Sequence, residues 1–278
     1  MLDAIFEYQF MQHAVIACVL ASIVCGLIGV IVVEKKLIMM SGGIAHTAYG
    51  GVGLGYLLGF EPMLGAVLFS VGAAVGVGSI KRRGGVNTDV IIALLWSMGM
   101  ALGTAFIGFM EGYPPDMSSY LFGNILSVTK SDLLMMVCLT VVVCLTVLIL
   151  FNDWKAFLFD DCFSKIIGLK TTFLEYLLLI LVALTVVVLI RVAGIILVIA
   201  LLTAPAATAS LLSDKLRTRM LLAIAIGLFY CFAGLWISYV LGIASGATII
   251  IFSVVSYAIA YFFRYILGNY SPKHKMVK

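Results

Sequence analysis

The sequence contains few charged residues for its length, and it has no long polar segment. Only 11% of its 278 residues are Asp, Glu, Lys or Arg, whereas a soluble globular domain carries roughly 25%. Hydrophobic residues make up 64% of the chain, and the mean hydropathy is +1.22. These values exclude a soluble domain and a nucleic-acid-binding surface. They predict an all-α, polytopic membrane protein that forms one domain over residues 1–278.

Several motifs of soluble enzymes are absent as well. The six cysteines form no CxxC pair, so neither a zinc site nor a disulfide framework is indicated, and we expect them to be buried as small apolar residues. No phosphate-binding loop of the G-x-x-x-x-G-K-S/T type occurs, so the chain does not hydrolyse ATP in the usual way. No Asp or Glu lies deep in an apolar segment, which argues against an aspartyl protease and against a proton- or sodium-driven transporter. An intramembrane enzyme built on His46 and Ser97 has no nucleophile motif to support it.

Nine apolar segments approach or reach the length of a spanning helix, which is about 20 residues. They cover residues 10–33, 37–60, 63–80, 90–110, 132–151, 173–190, 194–211, 220–241 and 246–265. One of the nine could instead be re-entrant, which would leave eight spans. With nine crossings and the N-terminus outside, all of the 17 Lys and Arg residues except Lys130 and Arg191 fall on the inner side. The positive-inside rule therefore predicts an N-out, C-in orientation.

The segment "MSGGIAHTAYGGVGLGY", residues 40–56, places one imidazole in an apolar, glycine-rich helix. His46 is the tenth residue of its predicted span. It lies roughly 14 Å from the inner end at 1.5 Å per residue, which is near the middle of the membrane. An ionisable group at that depth marks a candidate functional site, and a hydrogen bond to a neighbouring helix is the structural alternative.

Small residues follow two faces of the same helix. One face repeats them every four positions and favours close packing between helices: Gly43, Thr47, Gly51, Gly55 and Gly59. The other face holds His46 with Gly42, Gly50 and Gly53, which predicts a narrow path lined by an imidazole and bare backbone. One imidazole does not hold a metal ion alone, because stable sites use about four ligands. A homodimer would supply two, one from each subunit.

Four further patterns follow one another along the chain. They are "SGGIAHTAYGGVGLGYLLG" in the second helix, "SSYLFGNILSVTKSDL" in the central outer loop, "FDDCFSKIIGL" in the longest inner segment, and "VAGIILVIALLTAPAATA", which ends in a proline followed by small residues. Together they resemble the manganese/zinc/iron permease family of ATP-binding-cassette (ABC) transporters. The resemblance covers most of residues 10–265 in order, and it implies the bundle of a metal permease.

The resemblance implies a set of partners in a prokaryotic plasma membrane. Two copies of the permease would form the pathway, and two copies of a separate cytoplasmic subunit would use ATP, so this chain itself would need no cofactor. An extracytoplasmic binding protein, often a lipoprotein, would deliver zinc, manganese or iron. The cytoplasmic segment 153–172 would contact the ATPase through a coupling helix from Asp161 to Gly168. Its coupling residues would be Asp160, Asp161, Ser164, Lys165 and Gly168.

Elementary helix chemistry adds a structural role for some of these residues. Asp160 and Asp161 favour the N-terminus of a short helix, and Gly168 permits the turn that ends it. In the seventh segment, Pro205 is expected to interrupt the helix and free a backbone carbonyl, and Thr203 could offer a further oxygen. With His46, Gly42 and Gly50, these two residues would line the translocation path.

One position departs from the family pattern. Many members carry an aspartate four residues before the histidine, where it shares a helix face with the imidazole and both bind the ion. Here that position is Gly42. The remaining site is softer and weaker, which leaves the choice among zinc, manganese and iron open. A permease for a metal chelate such as a siderophore or cobalamin is the closest alternative.

Overall fold

The computed structural model describes residues 7–84, 87–111, 117–123 and 125–270. This part of the chain consists of helices joined by turns and loops, without β-strands. The all-α architecture predicted from the composition is confirmed. The helices are α1 (Gln9–Glu34), α2 (Ile38–Leu58), α3 (Pro62–Arg83), α4 (Thr88–Gly108), α5 (Ser118–Phe122), α6 (Lys130–Ile149), α7 (Phe151–Phe159), α8 (Asp161–Ile166), α9 (Thr171–Leu212), α10 (Leu216–Leu241) and α11 (Ser245–Tyr270), with a 3₁₀ turn at Ile125–Ser127.

Local sequence sets several of the helix ends. Pro62 opens α3, where its missing N–H costs no hydrogen bond. A reciprocal capping box opens α6: the Asp132 N–H donates to Thr129 Oγ1 at 3.2 Å, and the Thr129 N–H donates to Asp132 Oδ2 at 3.0 Å. At the end of α1, Lys36 adopts a φ of 55° and the Leu37 N–H donates to the Val32 carbonyl at 2.9 Å. This Schellman-type ending leaves only three residues between α1 and α2.

The bundle buries some helices and leaves others open. α1 and α9 form its centre, with 67% and 72% of their most apolar stretches buried, whereas α4 and α11 have only 17% and 22% buried. Three cysteines are buried as expected: Cys18, Cys25 and Cys231. The expectation is wrong for Cys138 and Cys162, which are exposed, because α6 turns one face outward and α8 is a short surface helix.

α9 is sharply folded at Gly194, where φ is 75° and ψ is 159°. A straight helix of its 42 residues would be about 63 Å long. Only glycine adopts such a conformation readily, and the contact at this point also requires glycine, since a Cβ on Gly194 would lie 2.3 Å from the backbone N of Gly123. The break coincides with the boundary that the sequence predicts between segments 173–190 and 194–211.

The expectation that Pro205 interrupts its helix is wrong. α9 continues through Pro205 to Leu212, and the non-helical residue in it is Gly194. The proline ring faces Gly227 of α10: a Cβ on Gly227 would lie 3.7 Å from Pro205 Cγ, which is an ordinary van der Waals distance.

Ion pairs show that both ends of α9 lie at one end of the bundle. Near its start, Glu175 pairs with Lys81 at 2.8 Å. Just after its end, the Ser213 carbonyl accepts a hydrogen bond from Arg219, which also pairs with Glu34 at the end of α1. Since Lys35 and Lys81 line one pocket, these contacts share one end, which we call the basic end. The Gly194 fold lies at the opposite end, where Arg191 is 3.5 Å from Asp132.

Seven helices within the described residues are long and apolar enough to cross a membrane, which makes the chain a polytopic membrane protein. The count differs from the nine predicted segments for two reasons. α9 enters it once although it is folded at Gly194, and α2 does not enter it, because its glycines and polar residues lower its hydropathy.

Candidate functional site

The predicted close packing of the small-residue face of α2 involves two helices. Gly43 and Thr47 meet α4, where a Cβ on Gly43 would lie 2.8 Å from Ile92 Cγ2, and Gly51 and Gly55 meet α3. A Cβ on Gly51 would lie 2.1 Å from the Gly65 carbonyl oxygen, and a Cβ on Gly55 would lie 2.6 Å from Pro62 Cα. Both positions must therefore remain without side chains, and the two backbones touch. This contact fixes the height and rotation of α2, and thereby the position of His46.

The second face of α2 is closed as well. A Cβ on Gly50 would lie 2.9 Å from the carbonyl oxygen of Gly99, and a Cβ on Gly53 would lie 2.7 Å from that of Gly103. Gly50 therefore contacts α4 and does not present bare backbone to an open path within the single chain. The reason is that α4 carries its own pair of glycines four residues apart, so α2 is held between two helices at backbone distance.

His46 is enclosed by two side chains of α4. Its ring stacks on the Trp96 indole, with 4.0 Å between the ring centroids and 16° between the planes. Its Nδ1 lies 3.3 Å from Met100 Sδ. His46 is 7% exposed, and the two partners are half-buried. The imidazole is therefore covered by an aromatic face on one side and bordered by a thioether on the other.

Gly42 lies under the same indole. A Cβ at this position would be 3.2 Å from Trp96 Cζ3 and 3.9 Å from Ile199 Cδ1. The indole of Trp96 thus lies tightly against the point where the side chain of an aspartate would begin, one turn before His46. Trp96 therefore contacts both positions: it stacks on His46 and packs against Gly42, the position that departs from the family pattern.

The two α9 residues predicted for the path lie on opposite sides of their helix. Thr203 follows Ile199 by one turn, and its hydroxyl donates to the Ile199 carbonyl at 2.8 Å, so it lies on the side of α9 that approaches Gly42. Pro205 is two positions, about 200°, further round the helix and faces α10. The structure therefore brings Thr203 but not Pro205 towards the His46 side. Ser97 of α4 is exposed, and its hydroxyl donates to the Ala93 carbonyl at 3.0 Å.

The donor atoms near His46 are few. Among residues 7–84, 87–111, 117–123 and 125–270, no three or more His, Cys, Asp or Glu side chains are grouped to hold a metal ion. His46 and Met100 offer one nitrogen and one sulfur. Such a pair can hold a cation only briefly or only with further ligands.

A short helix, α8, lies where the sequence predicts the coupling helix, and the capping roles of Asp160 and Gly168 are confirmed. Asp160 Oδ1 accepts hydrogen bonds from the N–H groups of Cys162 at 2.7 Å and Phe163 at 3.1 Å. Gly168 has a φ of 83°, and the Leu169 N–H donates to the Ser164 carbonyl at 3.0 Å. Ser164 is fully buried, and its hydroxyl is satisfied there by donating to the Asp160 carbonyl at 2.7 Å.

Asp161 is held by two lysines at the surface of this segment. Lys165, one turn further along α8, lies 2.9 Å from Asp161 Oδ2, and Lys35 lies 3.8 Å from Oδ1. Burial raises the pKa of the Asp161 carboxyl, but the hydrogen bond from Lys165 and the charge of Lys35 outweigh it, so the pKa lies below its ordinary value. The same hydrogen bond raises the pKa of Lys165. Asp161 thus links α8 to the turn between α1 and α2 through an ion pair.

Lys35 is a residue that sequence reasoning did not single out. Its Nζ lies 3.4 Å from the centroid of the Phe157 ring, in addition to its contact with Asp161. Burial lowers the pKa of Lys35. The sequence shows only a basic residue in a turn between two apolar segments, which is a common pattern, so no local signal separates Lys35 from its neighbours.

Comparison with known proteins gives a family profile and several relatives that agree with one another. The profile of the ABC 3 transport family matches residues 7–264. An uncharacterized membrane protein of Synechocystis is 38% identical over 93% of this chain and 92% of its own length. The manganese transport system membrane protein MntC of Listeria monocytogenes is 33% identical over 94% and 93%. The manganese import system permease protein ScaB of Streptococcus parasanguinis is 32% identical over the same shares.

Solved structures share the fold. The structure titled PsaBC from Streptococcus pneumoniae in complex with Fab superposes with a TM-score of 0.85 at 29% identity, covering 99% of this chain and 96% of that one. A putative metal-chelate type ABC transporter in an inward-facing conformation gives a TM-score of 0.76 at 16% identity, covering 94% and 88%. At that identity, the second likeness concerns the fold alone.

Proposed function

The chain belongs to the ABC 3 transport family, and from that premise we propose that it is the permease subunit of an ABC importer for a divalent transition-metal cation. It is a multi-pass protein of the prokaryotic plasma membrane. The observation that carries the proposal is its similarity, over more than nine-tenths of its length, to permeases named for manganese transport. The deep imidazole of His46 supports it, because an ionisable side chain in a membrane-spanning segment marks a pathway for ions.

Manganese is the first candidate among the metals, since the named relatives carry it in their descriptions. The surroundings of His46 favour a second candidate. Mn²⁺ prefers carboxylate, carbonyl and water oxygens, whereas imidazole and thioether suit softer ions. His46 has Met100 beside it and a glycine where a carboxylate would stand, so Zn²⁺ or Fe²⁺ is the alternative cargo.

We take His46 to be a transient ligand. A cation bound by four strong ligands would leave slowly, whereas one imidazole from each of two permease copies would release it readily. A homodimer is part of this proposal, and the exposed face of α4 supports it. Leu94 and Met98 on α4 are 65% and 51% exposed, and they lie on the helix that also carries Trp96.

The coupling segment, residues 153–172, would contact a separate ATPase. The basic end of the bundle carries apolar side chains in unusual exposure: Phe159 is 90% exposed and Ile166 is 82% exposed. Exposed apolar groups rimmed by charges mark a protein contact. A groove of about 890 Å³ beside them is lined by Phe163, Lys215 and Arg217, among others. An extracytoplasmic binding protein would deliver the ion at the opposite end.

We further propose nine crossings with the N-terminus outside. The fold at Gly194 divides α9 into two legs, and ion pairs hold both outer ends of these legs at the basic end. Counting α2 and both legs gives nine helical stretches that alternate in direction between residues 9 and 270. The concentration of basic side chains at one end supports placing that end in the cytoplasm.

Metal uptake by the complete complex tests the proposal. The permease, co-expressed with its ATPase partner, would be reconstituted into proteoliposomes that hold ATP. Uptake of radioactive Mn²⁺, Zn²⁺ and Fe²⁺ would be measured one at a time with the binding protein outside. We expect ATP-dependent accumulation of one of these ions. Uptake of a siderophore or cobalamin chelate, with none of the free ions, would replace this function by the chelate alternative.

A further inference from the structure

The side chain of Lys35 crosses from the membrane-spanning bundle to the cytoplasmic coupling segment. Lys35 lies in the three-residue turn between α1 and α2. Its ammonium group lies over the Phe157 ring of α7, at 3.4 Å from the centroid, and 3.8 Å from the Asp161 carboxylate of α8. The Lys35 side chain is only 20% exposed, so its ammonium group is partly withdrawn from water and its contact with the ring is stronger than at an open surface. Asp161 is 47% exposed, so the ion pair is partly screened.

The turn that carries Lys35 has little freedom. The Leu37 N–H is bonded back to α1, and Leu37 itself is 8% exposed. On the other side of the turn, Glu34 pairs with Arg219 of α10. A displacement of Lys35 is therefore not absorbed by a loose loop. It reaches α2, on which His46 follows Ile38 by eight residues, about 12 Å along the axis.

Asp161 has two cationic partners that respond differently to a movement of α8. Lys165 is on the same helix, so its pair with Asp161 moves with α8 and is kept in any orientation. The pair with Lys35 joins two separate elements, and it lengthens or shortens as α8 moves relative to α1 and α2. Lys81 and Glu175 line the same pocket but pair with each other. Of the two ion pairs of Asp161, the one with Lys35 therefore changes when α8 moves relative to α1 and α2.

We propose that Lys35 is a positioning residue that passes movement of the coupling helix α8 to α2, and so to His46, through its contacts with Asp161 and Phe157. This inference rests on the proposed function, since it assigns the route by which the ATPase would act on the path. It adds a residue outside the coupling segment and outside the path, and it gives the α1–α2 turn a role in transport.

The test uses the complete complex of permease and ATPase with three variants of the turn. Lys35→Met keeps the apolar stem and removes the charge, Lys35→Arg keeps the charge, and Lys36→Met changes the exposed neighbour as a matched control. We expect Lys35→Met to leave co-purification and ATP hydrolysis intact while metal uptake per ATP falls at least about fivefold, the lower end of ordinary coupling between sites. Lys35→Arg and Lys36→Met should keep most of the uptake.

A second measurement does not depend on the cargo. Hydrogen exchange of the complex, with and without ATP and vanadate, should show a nucleotide-dependent change in peptides of both α8 and α2, and in Lys35→Met the change in α2 should be lost while that in α8 remains. An unaltered α2 response in this variant overturns the relay, as does unaltered uptake per ATP. If the unchanged complex takes up no metal but the α2 response depends on Lys35, the proposed function fails and the relay stands.

Discussion

Trp96 of α4 lies flat against His46 of α2, with the two rings 4.0 Å apart at an angle of 16°. The same indole reaches to 3.2 Å of the position where a side chain on Gly42 would begin. One aromatic side chain therefore covers a face of the imidazole and also lies against the point where a side chain on residue 42 would begin. A metal ion binds an imidazole through a ring nitrogen, in the plane of the ring, so an ion at Nδ1 would meet Met100 Sδ and not the indole face.

Replacement of His46 separates a role as a metal ligand from a purely structural role. We expect His46→Ala to lower metal uptake per folded complex about tenfold or more, because even the loss of a metal ligand's hydrogen-bonding partner has that effect on metal affinity. His46→Gln should not restore uptake, since an amide is a poor substitute for imidazole. His13→Gln, at the far end of α1, serves as the control. A normal rate in His46→Gln, with less folded protein in His46→Ala, would show a purely structural histidine.

The pair Gly42 and Trp96 predicts a dependence between two substitutions. Gly42→Asp alone should reduce the amount of folded permease, because its side chain meets the indole of Trp96 in a tightly packed region. Gly42→Asp combined with Trp96→Ala should recover folded protein and shift uptake towards Mn²⁺, since a carboxylate then stands beside His46. Size-exclusion profiles in detergent and uptake of competing Mn²⁺ and Zn²⁺ measure both effects. Equal folding of Gly42→Asp and the unchanged chain would contradict the packing argument.

The contact between α2 and α3 predicts contrasting effects of alanine at two glycines of α3. A Cβ on Gly65 would lie 2.1 Å from the Gly51 carbonyl oxygen, whereas one on Gly72 would meet no atom within 4 Å. Gly65→Ala should cost about 1–3 kcal/mol of stability, as overpacking does, and Gly72→Ala should be neutral or slightly stabilising. Thermal unfolding in detergent compares the two. Matching midpoints would argue that the helices do not touch here.

The left-handed conformation at Gly168 predicts graded effects on coupling. Its φ of 83° is closed to proline, whose ring fixes φ near −65°, so Gly168→Pro must change the exit from α8. We expect this variant to enter the membrane but to lose stimulation of its ATPase. Gly168→Ala should retain part of it, because a left-handed residue other than glycine costs about 1–2 kcal/mol and no atom lies within 4 Å of the added methyl group. Normal ATPase stimulation by Gly168→Pro would remove α8 from the coupling path.

The proposed orientation predicts where fused reporters function. A reporter joined after Lys278, which lies outside the described residues, should be active in the cytoplasm, and one inserted at Gly59, between α2 and α3, should be active outside. The reason is that the basic end, with Lys35, Lys81 and Arg219, belongs on the cytoplasmic side. Activity of both fusions on the same side would mean that the chain crosses the membrane an even number of times between Gly59 and Lys278, which contradicts the proposed topology.

Local features of the molecule were predictable from the sequence. Runs of apolar residues locate the long helices, and the break in the apolar run near residues 190–194 coincides with Gly194. Asp160 and Gly168 act within a few residues of themselves, so their caps can be read from the sequence directly. The place of His46 within its helix can likewise be read from the sequence, whereas its depth in the membrane stays a prediction.

Contacts between distant helices were not predictable in the same way. Trp96 is 50 positions from His46, and nothing in either segment states that the two rings stack. The contact of Gly50 with α4 was partly predictable, because Gly99 and Gly103 form a small-residue pair at helical spacing that matches the glycines of α2. The role of Lys35 depends on the position of Phe157 and Asp161 after the whole bundle has formed.

The fold at Gly194 has a consequence for the lipid around the protein. The second leg of α9 runs from residue 195 to residue 212 and is about 27 Å long at 1.5 Å per residue, whereas the hydrocarbon layer of a typical bilayer is about 30 Å thick. Because the chain turns back at a single residue, this leg cannot lengthen by adding helical turns. No residue from 195 to 211 is exposed, so the short leg is surrounded by other helices and does not meet lipid. The match to the bilayer thickness is left to the outer helices, such as α4 and α11, which are mostly exposed.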